Sequence, residues 1–417
     1  MAKGKVQSKR NAVASKPEKK GSKVSRKNQE AKHPPEGKEG EAIKHFPGSP
    51  RVGHRVEKGI PFSRAAAQWL KRHSRQGGKA ADPGQHLDNT FLSACTWHTR
   101  IGDVRVDAFE IEREDREGDA SPGVRVIIVP GNPGVCSFYV RFAKMIYESL
   151  GRKVSVSAVS YMGFLSEPED AMLVTLAEER EYLISLLQEF HDRDPTEQFV
   201  LVGHSIGAWL CAEAMKFSAD IPVIETAMIF PFVCMGRDKM RKQDWLDTRN
   251  WPSLLQPVLN MAFYMASGLG SWFKMLPDWH QRLLMRLLEP EVSTDDLCSE
   301  VTLEYVAKRP HIMRSVFHLG RTEFNSLPRP AEPDAAWAKD ELSSYKPISS
   351  KLSWLYTDGD NWAPLEQAEE VRAALPKSHV EIQKGISHAF TASEASDSKV
   401  AKFVCGMRSL RPFKAKR

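Results

Sequence analysis

From about His86 onward, short apolar runs alternate with amphipathic stretches of helical period. Eight runs have the length and β-branched content of strands: Leu92–Thr99, Val104–Ile111, Val124–Val129, Val154–Tyr161, Phe199–Val202, Ala227–Phe232, Leu352–Tyr356 and His379–Gln383. Between them the spacing predicts helices over Phe138–Leu150, Thr175–Phe190, Ala208–Phe217, Pro364–Ala374 and Ser398–Met407. A run such as Val-Arg-Val-Ile-Ile-Val has no polar face, which implies a strand covered on both sides, as in a parallel sheet flanked by helices. The first two strands alternate more strictly and predict an antiparallel edge. The expected class is α/β, with a mostly parallel eight-stranded sheet.

The alternation breaks between Phe232 and Leu352, where more than a hundred residues intervene. That insertion predicts a helical cap over residues 233–345, splitting the core into 86–232 and 346–417. From Pro252 to Phe273 it carries no charged residue, and it holds Trp245, Trp251, Trp272 and Trp279. Gln256, Pro257, Asn260, Gly268 and Gly270 make this stretch a poor membrane span. The next segment, Trp279-His-Gln-Arg-Leu-Leu-Met-Arg-Leu-Leu288, places Arg282 and Arg286 one turn apart. This suits a helix lying in a phospholipid monolayer, with Phe263, Trp272, Phe273 and Trp279 in contact with lipid. The alternatives are a cap packed on the protein's own core and an acyl-binding tunnel.

Charge separates the first 85 residues from the rest. Residues 1–80 hold 21 Lys/Arg against 6 Asp/Glu, whereas the remainder is net acidic by 9. A Lys-, Ser-, Gly- and Pro-rich leader with almost no large apolar residue before Phe46 cannot offset the entropy of ordering, so residues 1–85 are expected to be disordered. Within them, Ser63–His73 could form one short docking helix. The leader has no apolar h-region and does not resemble a secretory signal. It reads as a solvated tail, with loose attraction to anionic lipid or nucleic acid as the alternative. An organelle transit peptide would favour Arg over Lys and an amphipathic helix, neither of which is clear here, and a nucleic-acid partner is not expected. Six scattered cysteines without Cys-x-x-Cys spacing predict reduced thiols in a cytosol-facing protein, and no His/Cys cluster predicts a metal.

Candidate chemistry sits where strands end. Phe199-Val-Leu-Val runs into Gly203-His-Ser205-Ile-Gly207 and then into a helical segment, the strand–turn–helix context of a nucleophile elbow. A glycine-rich loop whose serine merely caps the helix is the competing reading. The strand at Val124–Val129 runs into Pro130-Gly-Asn132-Pro-Gly134, so the backbone N–H groups of Asn132 and of Ile206 are the expected oxyanion donors; an ordinary turn is the alternative. A serine needs a base and the base an orienting acid. His388 follows the last strand, and Asp358-Gly-Asp360 follows the one before, giving the chain order Ser, Asp, His. Asp360 is the choice of acid and Asp358 the reserve, since the turn lets either face inward. His204 is expected to point away from the attack side as a packing or supporting residue.

Four segments together resemble the lipid droplet-associated hydrolases: Pro130-Gly-Asn-Pro-Gly-Val-Cys-Ser-Phe-Tyr-Val-Arg-Phe-Ala-Lys144, Val202-Gly-His-Ser-Ile-Gly207, Tyr356…Asp360-Asn-Trp-Ala-Pro364 and Ile386-Ser-His-Ala-Phe390. The resemblance covers about Asn89 to Arg408. It implies an α/β-hydrolase fold and a serine hydrolase of neutral lipid esters, including cholesteryl esters, at the cytosol-facing surface of lipid droplets and the endoplasmic reticulum. In that family the acid precedes x-Trp-x-Pro, which here is Asp360. The basic leader and the extra acid Asp358 fall outside the family pattern.

The expectation is therefore ester hydrolysis through an acyl-enzyme, with Ser205 as nucleophile, His388 as base then acid and Asp360 holding the imidazole, and with no cofactor. A thioesterase or transacylase on the same triad is one rival. A droplet-surface scaffold with a vestigial triad is the other. Acyl chain, alcohol and oligomeric state are not legible in the chain.

Overall fold

The computed structural model describes residues 55–56, 63–73, 90–99, 102–114, 122–164, 172–234, 275–288, 295–328 and 339–415. All of them fall in one compact unit, Val52–Arg417. Its strands are β1 (Arg55–Val56), β2 (Thr90–Thr99), β3 (Gly102–Ile111), β4 (Val124–Val129), β5 (Ser155–Val159), β6 (Gln198–His204), β7 (Val223–Ile229), β8 (Leu352–Thr357) and β9 (His379–Gln383). Its helices are α1 (Arg64–His73), α2 (Val140–Ser149), α3 (Leu176–Arg193), α4 (Ile206–Phe217), α5 (Asp278–Leu288), α6 (Asp296–Val301), α7 (Pro310–Ser326), α8 (Lys339–Ser344), α9 (Leu365–Ala374) and α10 (Glu394–Val404).

The strands form one sheet in the order β1-β2-β3-β5-β4-β6-β7-β8-β9. β1, β2 and β3 pair antiparallel, β3 is antiparallel to β5, and every pair from β5 to β9 is parallel. This is the α/β-hydrolase arrangement, with β4 and β6 at its centre. The continuous apolar run of β4 is buried along its whole length. Each of its Val and Ile side chains contributes about 1.5–3 kcal/mol by leaving water. β7 begins at Val223, four residues before the expected Ala227, because a polar pair is tolerated inside it. Glu225 is buried there, accepting from the Ser353 hydroxyl (3.1 Å) and from the backbone N–H (2.9 Å) and hydroxyl (2.7 Å) of Ser409.

Two features depart from expectation. The sheet has nine strands among the described residues rather than eight, the extra one being Arg55–Val56 on β2. The leader is also not uniformly disordered through residue 85, because α1 packs on the body. Ala66 and Leu70, one turn apart, are buried, and Lys144 Nζ lies 6.0 Å from the centre of the Trp69 ring. Ser63 caps the helix by accepting from Ala66 N–H (3.1 Å). The Glu304 carboxylate takes the Ser63 hydroxyl (3.0 Å) and the N–H groups of Arg64 (3.0 Å) and Ala65 (3.2 Å). An acid 240 residues away thus satisfies the free N–H groups that open a helix with no acid of its own in its first turn.

The insertion between β7 and β8 is helical where described, from α5 to α8. Arg141 on α2 joins it to the core. Its guanidinium bonds Asp397 of α10 (2.5 Å), the Thr391 carbonyl (2.8 Å) and Asp295, whose other oxygen caps α6 by accepting from Cys298 N–H (2.9 Å). Cys136, Cys211, Cys234, Cys298 and Cys405 are buried, and burial pushes the Cys298 thiol up to about 12. No helix among the described residues is long and apolar enough to cross a membrane. The stretch 252–273, with Phe263, Trp272 and Phe273, lies outside the described residues.

Candidate active site

The turn from β6 into α4 forces Ser205 to φ 55°, ψ −121°. For a residue with a Cβ this is strained backbone, costing about 1–3 kcal/mol. Neighbours pin it: Ser205 N–H donates to the Ile229 carbonyl (3.0 Å), and its carbonyl accepts from Phe232 N–H (3.0 Å). Only glycine fits on either side. A Cβ on Gly203 would collide with the backbone of Gly207 and Ala208, and one on Gly207 with the carbonyls of Val129 and Pro130.

The hydroxyl released by this turn makes no cap bond to its own helix. It lies 3.0 Å from Nε2 of His388, and Nδ1 of that ring lies 2.8 Å from Oδ2 of Asp360. The acid is buried, and its Oδ1 accepts from Trp362 N–H (2.8 Å) and Ala363 N–H (3.1 Å). Burial alone would raise its pKa, but the adjacent His388 and these hydrogen bonds outweigh that and hold the carboxyl below its ordinary value. The three expected residues are thus brought into one hydrogen-bonded line.

Asp358 does a different job. Its side chain points to solvent and accepts from Gly385 N–H (2.7 Å), the bond that holds its carboxyl below the usual range. It staples the loop after β8 to the loop that carries His388.

His204, expected as a packing or supporting residue, takes part in a directed relay. Gly131 N–H donates to Tyr139 Oη (2.9 Å), which lies 2.7 Å from His204 Nδ1, and His204 Nε2 lies 2.9 Å from the His388 carbonyl. The carbonyl can only accept, so Nε2 carries the proton and Nδ1 accepts from the tyrosine hydroxyl. Burial, then the neighbouring His388, push the His204 imidazole down to about 3, so it stays neutral. The relay ties the loop after β4 to the loop that carries His388. Tyr139 was not singled out from the sequence, and neither was Phe230, which also has a positive φ of 45°.

The loop after β4 lies against Ser205, since a Cβ on Gly131 would sit 3.0 Å from Ser205 Cβ. Gly131 N–H is spent on Tyr139. No bond among the described residues takes up the backbone N–H of Asn132 or Ile206, the two expected oxyanion donors. The side chain of Asn132 turns to the cap, where Nδ2 donates to the Val316 carbonyl of α7 (3.0 Å). Behind it, Glu323 of the same helix is buried, and burial pushes its carboxyl up to about 8.

Aromatic rings wall the site. Phe230 and Trp362 lie 6.3 and 6.2 Å from the His388 ring, centre to centre. Phe232 and Phe324 of α7 pack on Trp362 at 5.5 and 6.1 Å. Of the expected lipid contacts, Trp279 is described: it stands on α5 with 62% of its surface exposed, beside exposed Met275 and Leu283. On the same helix, Arg282 pairs with Glu300 of α6 at 2.6 Å, and both side chains stay open to solvent. No group of His, Cys, Asp and Glu among the described residues could hold a metal ion.

The family model described as "Lipid-droplet associated hydrolase" matches residues 122–391, which contain all of this geometry. The chain is 24% identical over 292 residues to the lipid droplet-associated hydrolase of Rattus norvegicus, covering 66% of this chain and 82% of that protein. With the protein of that name from Gallus gallus it shares 26% identity over 324 residues, covering 75% and 92%. Among solved structures it is similar to a peroxisomal alpha-beta-hydrolase of Saccharomyces cerevisiae, with 10% identity, a TM-score of 0.48, and coverage of 79% of this chain and 90% of that one.

Proposed function

The chain belongs to the lipid droplet-associated hydrolase family and is a hydrolase, and on that premise we propose that it cleaves carboxylic esters of neutral lipids through an acyl-enzyme on Ser205. The observation that carries this reading is the line from Ser205 Oγ through His388 to buried Asp360, at 3.0 and 2.8 Å.

Ser205 Oγ attacks the ester carbonyl while His388 Nε2 takes its proton. Asp360, ionised at neutral pH, fixes the proton on Nδ1 and steadies the imidazolium. The carbonyl oxygen becomes an oxyanion opposite the N–H groups of Asn132 and Ile206; removing one such donor typically costs about 10²–10³ in rate. His388 returns the proton to the departing alcohol, leaving an acyl-serine. Water, deprotonated by the same nitrogen, attacks the acyl-serine, and fatty acid and free serine result.

The aromatic wall from Phe230, Phe232, Phe324 and Trp362 supports an apolar acyl or sterol group, such as that of a cholesteryl ester. Trp279 and Leu283, four residues apart on α5, support contact with the phospholipid monolayer of a droplet or of the endoplasmic reticulum from the cytosolic side. Replacing both by serine should release the protein from droplets without unfolding it, since both side chains are already exposed; retention on droplets would move the anchor elsewhere.

The test of function is fatty acid release from an emulsified neutral lipid ester by the purified chain. The native protein should turn the emulsion over, and Ser205→Ala should lose about 10⁴–10⁶ in rate. A folded native protein that releases no acid from esters or thioesters would favour the scaffold reading.

A further inference from the structure

Outside the active site, one concave surface is set apart by its charge. A cleft of about 910 Å³ runs along β9 and α10. Its walls carry Lys384, Lys399, Lys402, Arg408, Arg411 and Lys414. All six are exposed, and none has an ion-pair partner among the described residues. The two carboxylates in the cleft are already engaged. Glu225 is held by Ser353 and Ser409, while Glu381 accepts from Gln383 Nε2 (2.7 Å) and lies 3.6 Å from His379 Nε2.

This concentration is at odds with the rest of the body, which is net acidic beyond residue 80. Between residues 384 and 414 only Glu394 and Asp397 oppose the six cations, and Asp397 is taken by Arg141. Six cations around one cleft, without an ion-pair partner among the described residues, repel one another, and a polyanion relieves that repulsion. Four of the six are lysines, exposed point charges on long stems; Lys399 Nζ also donates to the Lys384 carbonyl (3.4 Å) and Arg411 Nε to the Gly406 carbonyl (2.7 Å). Such a rim fits several phosphates presented on a surface better than one small ion held in a pocket. Phe403 and Met407, buried beneath the rim, keep the backbone of this wall fixed.

We propose that this cleft docks the phosphate-bearing headgroups of an anionic phospholipid surface. It would hold the protein to lipid by charge, separately from the apolar face of α5 and from the chemistry at Ser205.

The experiment uses the full chain with phosphatidylcholine vesicles, with and without phosphatidylserine. Lys399→Gln, Lys402→Gln and Lys414→Gln are combined in one variant, and circular dichroism and thermal melting check its fold. Each cation near an anionic surface contributes about fivefold in affinity, so the variant should bind phosphatidylserine vesicles on the order of a hundredfold more weakly. Added salt should shrink the difference. A matched variant, Lys3→Gln with Lys5→Gln and Lys9→Gln, controls for the basic leader. Amine-reactive footprinting of the native chain localises contact: Lys399 and Lys402 should lose reactivity only with phosphatidylserine present.

Unchanged binding by the cleft variant would overturn the proposal, as would a loss confined to the leader variant. Protection by inorganic phosphate alone would make the cleft a free-phosphate site and overturn membrane docking. Protection by poly-glutamate but not by vesicles would replace the lipid surface with an acidic protein partner.

Discussion

Among the described helices, α1 and α4 each open on a serine, and these two serines are used in opposite ways. At α1, Ser63 satisfies its own helix, accepting from Ala66 N–H and donating to Glu304. Such a cap stabilises by about 1 kcal/mol. At α4, Ser205 leaves its helix uncapped, sits at a strained φ of 55° and turns its hydroxyl to His388. The first serine contributes stability, whereas the second costs it. Ser393, which opens α10 at φ −147°, also makes no cap bond, so a withheld hydroxyl is not enough by itself. What marks Ser205 is the positive φ together with the histidine 3.0 Å from its hydroxyl, and the reading of Ser205 as a plain cap fails on that ground.

The contrast is broken most severely through the acid. Asp360→Asn should lower hydrolysis by about 10³–10⁴ by stabilising the wrong imidazole tautomer, with thermal stability nearly unchanged. Asp358→Asn, which only loosens the staple to Gly385, should cost a few-fold at most. Steady-state rates on a soluble ester separate the two, and the reverse ranking would move the acid to Asp358.

Buried acids away from the line sharpen the contrast through pH. Glu323 has a folded pKa of about 8, above its ordinary value of 4.5, so its neutral form is the one the fold tolerates. Stability linked to it is fully present at about pH 4.5 and below, and is lost as pH rises through about 8. The loss has an upper bound of about 5 kcal/mol. Denaturant melts at acid, neutral and mildly alkaline pH should show this slope in the native chain and a flatter one in Glu323→Gln. Equal slopes would mean that α7 opens to water at this point.

The other serine makes a stability prediction. Removing residues 1–73 deletes the buried Ala66 and Leu70 and the half-buried Trp69, which together contribute roughly 2–4 kcal/mol. Melting should fall by several degrees while hydrolysis of a soluble ester persists. Ser63→Ala alone should cost about 1 kcal/mol and no activity. An unchanged melting temperature in both would show that α1 contributes nothing to the body.

The smallest effect concerns the relay. Tyr139→Phe breaks the bonds from Gly131 and to His204 without emptying the space, and should lower kcat about tenfold with KM little changed. A change in KM alone would mean that the relay shapes the binding surface rather than the base.

How much of this was legible in the chain follows the same division. The central strands, the elbow and the order Ser205, Asp360, His388 are written locally, as apolar runs followed by short turn motifs, and the structure brings them together. α1 was half legible. Its apolar spacing over Ser63–His73 is visible, but the acid that caps it is Glu304, and no local pattern announces a partner that distant. Tyr139 escaped for the same reason: it lies within an apolar run and acquires a role only when β6 brings His204 to it. The pairing of Arg282 with Glu300 was not legible either, since helical spacing on α5 says nothing of a partner on α6.

The central claim is that Ser205 is the nucleophile, and its most direct measurement is covalent labelling with a fluorophosphonate followed by mass mapping of the adduct. The native chain should carry one adduct on the peptide containing Ser205, with slower labelling in Asp360→Asn, full labelling in Ser63→Ala and none in Ser205→Ala. A folded native protein that takes no label, or an adduct on any other residue, would contradict the account.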